Sequence, residues 1–156
     1  MKIKKQLQKG FTLIELIIVV VIIGIGMAVG VPSFRGITAE NCLITTANSL
    51  VSSMQYARSE AVKINSTIRI EEFGTWGDGW SIVDGTTGTL INAVYTECAA
   101  VTVVEAGGAT SFTYDSDGFI NAAGTFSICD DGTAEFGRQV SISSTGRPAV
   151  DKMACP

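Results

Sequence analysis

Histidine is absent from the 156 residues of this chain, and proline occurs only three times. Without histidine the chain cannot build a Ser-His-Asp triad, a histidine metal site or an imidazole acid–base catalyst that works near neutral pH. No paired-carboxylate motif stands out among the aspartates and glutamates. We therefore predict that the protein is not an enzyme and that it has no catalytic residue, no metal site and no cofactor.

Basic residues are scarce outside the first ten positions. The chain has 11 basic and 15 acidic residues, and four of the basic ones are Lys2, Lys4, Lys5 and Lys9. Residues 11–156 therefore carry seven basic and 15 acidic side chains, a net charge of −8. Binding to a phosphate backbone needs clustered Lys and Arg, so this composition argues against nucleic acid as a partner.

The most informative segment is the N-terminus, where KKQLQKG and FTLIE precede the apolar run LIIVVVIIGIGMAVGV. Glu15 is the only charged residue between Gly10 and Val31. A carboxylate inside a membrane helix costs on the order of 3 kcal/mol, so we expect it to be retained for a function. The segment resembles the class III signal of type IV prepilins and pseudopilins.

This resemblance implies that residues 1–10 are a leader peptide. In that family a prepilin peptidase cuts after the glycine, here Gly10, and methylates the new N-terminus, here Phe11. An ordinary secretory signal peptide, which also has a basic start and an apolar core, is the alternative. Glu15 inside the apolar run argues against it, and so does the lack of a small-x-small cleavage site directly after Pro32.

Residues 11–32 are predicted to form a transmembrane and filament-core helix. At about 1.5 Å per residue, a helix from Phe11 to Phe34 is long enough to cross a hydrocarbon core of roughly 30 Å. Pro32 lacks a backbone donor, so we expect a bend or a melted turn there. The basic leader favours a cytoplasmic N-terminus. The expected location is the bacterial inner membrane, single-pass with a periplasmic head, and then a pilus or pseudopilus filament.

Residues 33–65 are predicted to form an amphipathic helix. Apolar residues recur every three or four positions from Leu43 through Ala47, Leu50, Met54, Ala57 and Ala61 to Ile64, and the helix is expected to end near Asn65. This apolar stripe is expected to pack on a sheet. A dimerising coiled coil is the alternative, although the heptad pattern does not persist for three clean repeats.

Residues 66–156 are predicted to form a periplasmic β-rich head. Short alternating segments separated by turn residues predict about seven antiparallel strands, with a hairpin-type turn at Asp131-Gly132. The predicted strands are 67–73, 80–83, 90–95, 101–104, 110–114, 126–129 and 140–142. The expected fold class is α+β: a long N-terminal helix, half membrane and half amphipathic, packed on an antiparallel β-sheet head in the manner of type IV pilins.

Four cysteines, Cys42, Cys98, Cys129 and Cys155, are widely spaced and form no C-x-x-C pair. Since the leader implies export to an oxidising compartment, we expect disulfides, with buried free thiols as the alternative. Three pairings are possible. We favour Cys129–Cys155, which would anchor the C-terminal segment 151–156, together with Cys42–Cys98, which would clamp the helix to the sheet.

Several internal segments resemble the GspH/FimT group of minor pilins and pseudopilins. They are Tyr56-Ala-Arg-Ser-Glu-Ala61, Gly79-Trp80 in front of a strand that ends at Asp84, the cysteine-bearing strand Phe126–Cys129, and Gly146-Arg147. On physical grounds alone we expect Trp76 and Trp80 in the core, Arg58 on a solvated helix face, and Asp84 in a turn that it stabilises.

The resemblance implies a minor subunit of a pilus-like filament. Its partners would be other minor and major pilins or pseudopilins, the prepilin peptidase and the inner membrane. The carboxylate of Glu15 is expected to pair with the methylated amine of Phe11 on a neighbouring subunit. Our main hypothesis is a FimU-like minor pilin that takes part in priming and tip assembly of type IV pili. The alternative is an H-type minor pseudopilin of a type II secretion system.

Two other functions are weaker hypotheses. A FimT-like DNA-uptake pilin would carry a Gly-Arg-x-Arg element near the C-terminus, whereas this chain has Gly146-Arg147-Pro148-Ala149. The segment Asp115-Ser-Asp117-Gly-Phe119-Ile-Asn121 resembles the start of a calcium loop, but it lacks the glutamate expected twelve positions along. We expect a plain turn there.

Overall fold

The computed structural model describes residues 11–96, 98, 101–130 and 136–155, with only the backbone described for 29–35. The chain divides into two units, 1–35 and 36–156. A single helix, α1, is assigned over Leu13–Ile64. The predicted melted turn at Pro32 is wrong, because the backbone is helical on both sides of it. A proline removes only its own donor, so the hydrogen bonds of its neighbours can carry a helix through it.

No helix within the described residues is both long enough and apolar enough to cross a membrane. The predicted membrane segment, 11–32, extends to residues 29–32, whose side chains lie outside the described part of the chain.

Eight strands follow the helix in the described part of the chain. They are β1 Ile68–Phe73, β2 Thr75–Asp84, β3 Leu90–Tyr95, β4 Val101–Glu105, β5 Ser111–Tyr114, β6 Gly124–Asp130, β7 Phe136–Ile142 and β8 Pro148–Ala154. They form two four-stranded sheets with the orders β3-β2-β1-β5 and β4-β6-β7-β8. All strand pairs in both sheets are antiparallel, which confirms the predicted α+β class.

Three of the strand predictions need correction. β2 begins at Thr75 rather than at Trp80, and β7 begins at Phe136 rather than at Val140. β8 was not predicted, because most of its residues are exposed and it lacks an apolar alternation. It pairs with β7 along its whole length, from Ile142 opposite Pro148 to Phe136 opposite Ala154. The C-terminal segment is therefore held by a strand ladder as well as by its cysteine. The predicted turn at Asp131-Gly132 lies outside the described residues.

The core lies between α1 and the strands. The helix contributes Leu43, Ala47, Leu50, Met54, Ala57 and Ala61, and the strands contribute Ile68, Ile70, Trp80, Ile82, Phe112, Phe126 and Ile128 among others. The predicted apolar stripe therefore packs on sheet residues. Ile64 is the exception, since it is 42% exposed at the last position of the helix.

The helix ends where the sequence predicts. Asn65 adopts a φ of +52°, and the N–H of Ser66 donates to the carbonyl of Ala61 at 3.2 Å. This six-residue closure with a left-handed residue is the Schellman arrangement, in which Asn is a common alternative to Gly. The chain turns there from the helix into β1.

Trp76 and Trp80 are both buried, as predicted. The ring of Trp76 meets Phe126 edge-on, with 4.9 Å between ring centroids. Its indole Nε1 donates to the carbonyl of Ala109 at 2.8 Å. Aromatic pairs in this geometry contribute about 0.5–1.5 kcal/mol beyond the area they bury, so this contact helps to join β2 and β6.

Candidate functional site: the N-terminal helix and the head motifs

The first turn of α1 is capped by Thr12. Its hydroxyl oxygen accepts the N–H of Glu15 at 3.3 Å, and its carbonyl accepts the N–H of Leu16 at 3.2 Å. Thr12 is therefore the N-cap residue of α1, and Glu15 lies at the third helical position. The T-x-x-E spacing of residues 12–15 is a sequence signal for such a helix start, and it was not used in the prediction.

The N-terminal part of α1 exposes apolar side chains continuously. Phe11 is 86% exposed, and the large apolar residues from Leu13 to Met27 are all at least 47% exposed. A helix that is apolar on every side is stable only where lipid or other helices cover it. Phe11 and Glu15 lie at the start of this surface, and Gly10 lies outside the described residues.

The helix end and two turns of the head meet in one place. Nε of Arg58 donates to the carbonyl of Gly118 at 2.9 Å, and the hydroxyl of Tyr114 donates to the carbonyl of Gly146 at 3.0 Å. The predicted solvated position of Arg58 is wrong, since this hydrogen bond is partly buried. Burial raises the pKa of Tyr114 to about 12.

Gly146 is required by this packing. Its φ is +75°, and a Cβ there would lie 2.6 Å from the Tyr114 ring and 2.9 Å from the Gly118 carbonyl oxygen. The Gly146-Arg147 motif is therefore explained in part by the fold. The side chain of Arg147 is exposed.

Asp84 stabilises its turn, as predicted. One carboxylate oxygen accepts the N–H groups of Thr87 at 2.7 Å and Thr86 at 2.8 Å. The backbone hydrogen bonds from Thr87 and then Thr86 hold the pKa of Asp84 below its ordinary value. At the other end of the same motif, Gly79 has a φ of +119°, and a Cβ there would collide with the carbonyl oxygen of Val94.

The four cysteines form the disulfides Cys42–Cys98 and Cys129–Cys155, each with 5.9 Å between the Cα atoms. The first joins α1 to the segment after β3, and the second joins β6 to the residue after β8. The pairs are separated by 56 and 26 residues in sequence. Loop entropy alone then stabilises the fold by about 4 and 3.5 kcal/mol in the chain-entropy treatment.

The calcium-like segment forms a hydrogen-bonded turn. The N–H of Gly118 donates to the carbonyl of Asp115 at 2.8 Å, and the amide oxygen of Asn121 accepts the N–H of Thr113 at 2.9 Å. Within the described ranges, no group of three or more Cys, Asp or Glu side chains is placed to hold a metal ion.

Two family models match the chain. The prokaryotic N-terminal methylation motif matches residues 5–31, and the family described as Type II transport protein GspH matches residues 46–146. The second match covers well over half of the chain. The chain belongs to the GspH family. It is thereby placed in the type IV pilin and pseudopilin superfamily, whose members are structural proteins.

Two solved structures resemble this GspH-family chain. The type IV minor pilin FimU of Pseudomonas aeruginosa is 31% identical, with 74% of this chain and 92% of FimU covered and a TM-score of 0.63. The minor pseudopilin EpsH of the Vibrio cholerae type 2 secretion system is 14% identical, with 70% and 94% covered and a TM-score of 0.54. The likeness to EpsH shows the fold alone.

Two curated relatives match the GspH-family chain less completely. The type IV major fimbrial protein FimA of Dichelobacter nodosus is 36% identical over 104 residues, which are 64% of this chain and 63% of FimA. A fimbrial protein of Pseudomonas aeruginosa is 49% identical over 55 residues. The chain spans about a third of that fimbrial protein, 35% of its length.

Removing the Asp84 carboxylate should destabilise the protein at neutral pH and much less in acid. Because the folded-state pKa is lowered, the carboxylate contributes stability above the unfolded value of about 3.9, and the contribution is lost as the pH falls through the folded value. Asp84→Ala should therefore lower the melting temperature at pH 7, and the difference from wild type should shrink below about pH 4. Circular dichroism of the purified full chain measures this.

The matched control is Asp117→Ala, which removes an exposed carboxylate from another turn of the head. It should leave the melting temperature close to wild type at both pH values. A deficit in Asp84→Ala that stays constant from pH 3 to pH 8 would contradict the role assigned to the charged carboxylate.

Proposed function

We propose that this chain is a FimU-like minor pilin that takes part in priming and tip assembly of type IV pili. The observation that carries the proposal is the match to the minor pilin FimU, which extends over 92% of that protein at 31% identity. The N-terminal methylation motif over residues 5–31 supports it independently. In this proposal the head acts through its surfaces, by contacting other pilins, rather than through a pocket.

The proposed maturation begins at the leader. Residues 1–10 are removed by a prepilin peptidase that cuts after Gly10, and the new N-terminus at Phe11 is methylated. Residues 11–32 anchor the chain in the inner membrane until assembly, with 33–65 and 66–156 on the periplasmic side. The continuous apolar surface from Phe11 to Met27 supports this, because such a surface must be covered either by lipid or by neighbouring helices.

Glu15 is proposed to direct assembly. A carboxylate among apolar helices is costly unless a cation compensates it. The methylated amine of Phe11 on a neighbouring subunit would supply that cation, so the pair would form only in one relative position of the two helices. The charge pair then makes one relative position of the two helices more stable than the positions next to it. Glu15 lies in the first turn of α1, where the helix dipole also favours a negative charge.

The basic residues of the head do not support nucleic acid as a partner. The guanidinium of Arg58 donates to the carbonyl of Gly118, and Nη2 of Arg138 lies 3.6 Å from a carboxylate oxygen of Glu40. Arg147 is followed by Pro148 and Ala149 rather than by a second arginine. An electrostatic footprint for a phosphate backbone would need several free cations on one face.

The second candidate is an H-type minor pseudopilin of a type II secretion system. The GspH family match over residues 46–146 favours it, and the fold is shared with EpsH. The leader, the apolar helix and the head would have the same roles in a secretion filament. The higher sequence identity with FimU, 31% against 14% with EpsH, favours the pilin candidate.

An in-frame deletion of the gene should sharply reduce the number of surface pili, and the full chain supplied in trans should restore them. A missing priming subunit lowers the frequency with which filaments start, so pilus number should fall more than pilus length. Electron microscopy of the deletion, complemented and wild-type strains measures both quantities. Unchanged piliation with loss of secreted proteins would overturn the pilus proposal in favour of the pseudopilin.

Replacing Glu15 by glutamine should block assembly without blocking processing. Glutamine keeps the size of the side chain but removes its charge, and leaving a buried charge without its partner costs about 3–5 kcal/mol. Recovery of the chain in sheared pili should fall by about a hundredfold or more. Immunoblots of membranes and of sheared pili give the processed size and the assembled fraction.

Glu15→Ala serves as the comparison, because it removes the charge and the polar side chain but keeps the backbone N–H that Thr12 caps. Asp117→Asn, which neutralises an exposed carboxylate of the head, is the control for loss of an acidic side chain elsewhere. If Glu15→Gln assembles like wild type while Glu15→Ala fails, the residue acts through a polar side chain of this size, and the charge-pairing role is wrong.

A further inference from the structure

We propose that the outer edge of β3, with the groove between β3 and α1, docks an extended and uncharged backbone segment of a neighbouring pilin or pseudopilin subunit. The segment would add to the first sheet as one more strand. The inference rests on the proposed function, since it requires a neighbouring subunit of this superfamily.

Two of the four sheet edges are partly covered by the chain itself. At the edge strand β5, Tyr114 bridges to Ile120, and the N–H of Asn121 donates to the carbonyl of Thr113 at 2.9 Å. At the edge strand β4, the backbone nitrogen of Val103 lies beside Gly77 of β2. At these positions another segment of the chain lies against the edge strand.

The edge at β8 carries the features that natural sheets use against strand addition. The strand begins with Pro148 and contains Asp151 and Lys152, both exposed. Proline removes a ladder donor, and charged side chains on an edge disfavour a further strand. This leaves β3 as the edge without such protection among the strands described.

β3 is an uncharged, proline-free edge strand. It pairs with β2 on one side, from Gly79 opposite Tyr95 to Val83 opposite Leu90. Leu90 and Tyr95, at its two ends, are 59% and 70% exposed. The N–H of Ala93 donates to the side-chain oxygen of its neighbour Asn92 at 2.8 Å. An exposed side chain therefore satisfies this donor in the free protein, and a docked strand could replace it.

A groove runs beside this edge. Two adjoining cavities of about 550 and 500 Å³ share Thr45, Ser49 and Val94. The disulfide partners Cys42 and Cys98 line the first cavity. The rest of the lining is mainly hydroxyl and amide side chains: Asn41, Thr46, Asn48, Ser52, Ser53, Asn92 and Thr96.

The charge of the groove fits the same occupant. Residues 11–156 carry a net charge of −8, yet neither cavity is lined by a charged side chain among the described residues. The described lining therefore offers an approaching segment no charged side chain that would have to lose its water. In strand addition, backbone hydrogen bonds supply affinity and alternate side chains supply specificity.

The test is site-specific photocrosslinking in pilus-producing cells. A benzophenone amino acid is placed at Leu90 of the otherwise wild-type full chain, and the crosslinked peptide is identified by mass spectrometry. We expect a crosslink to one uncharged, extended segment of another pilin or pseudopilin. No crosslink, or a crosslink to a glycan, would overturn the proposal, because a hydroxyl-lined groove can also accept sugar.

Two variants block the site in different ways. Thr45→Trp fills the groove, and Gln55→Trp places the same side chain at an exposed helix position outside it. Ala93→Pro removes the outward donor of β3, a change that edge strands tolerate. Thr45→Trp and Ala93→Pro should lower the crosslink yield and the recovery in sheared filaments by about tenfold, and Gln55→Trp should leave both unchanged.

The two disulfides and the melting temperature of each variant are measured first. If Ala93→Pro proves to be misfolded, the result for Thr45→Trp alone decides whether the groove is the docking site. If the Thr45→Trp variant crosslinks from position 90 with the same yield as wild type, the groove proposal is wrong, and the pilin proposal is unaffected. Conversely, a crosslink to a pseudopilin in a strain with normal pili would overturn the type IV pilus assignment and still support the groove.

Discussion

The burial of one face of α1 against the strands is the interaction on which the head depends. Leu43, Leu50 and Met54 are fully buried there, and each such side chain contributes about 1.5–3 kcal/mol relative to exposure. The same packing places Arg58 where its guanidinium reaches the Gly118 carbonyl. The disulfide Cys42–Cys98 closes the same contact at its other end. The groove beside β3 is lined by residues of both the helix and the sheet, and its described lining carries no charged side chain.

Several residues that mark the family have structural reasons to be there. Gly146 fits against Tyr114 because a side chain would collide with the ring, and Gly79 lies where a Cβ would strike the carbonyl of Val94. The carboxylate of Asp84 closes a turn. These motifs maintain the head rather than perform chemistry, which agrees with membership of a family of structural proteins. Function is then left to the N-terminal helix and to the surfaces between subunits.

Local patterns in the sequence predicted the elements whose two faces differ. The helix stripe from Leu43 to Ala61, its end near Asn65 and most strands follow from apolar periodicity, and the class α+β follows from their order. β8 escaped detection because its exposed residues leave no apolar alternation to find. The pairing of β1 with β5, and the contact of Arg58 with Gly118, join residues distant in sequence, so no local pattern could indicate them. Leader cleavage, methylation and the pairing of Glu15 remain predictions.

If this chain is a processed minor subunit of a type IV pilus, it should be present in the filament itself. Mass spectrometry of sheared, purified pili, with quantification against the major subunit, tests this. We expect a peptide that begins at Phe11 with one methyl group on its amine, present far below the amount of the major pilin. A chain that keeps residues 1–10, or that occurs in membranes and is missing from the pili, would show that the proposed maturation and assembly are wrong.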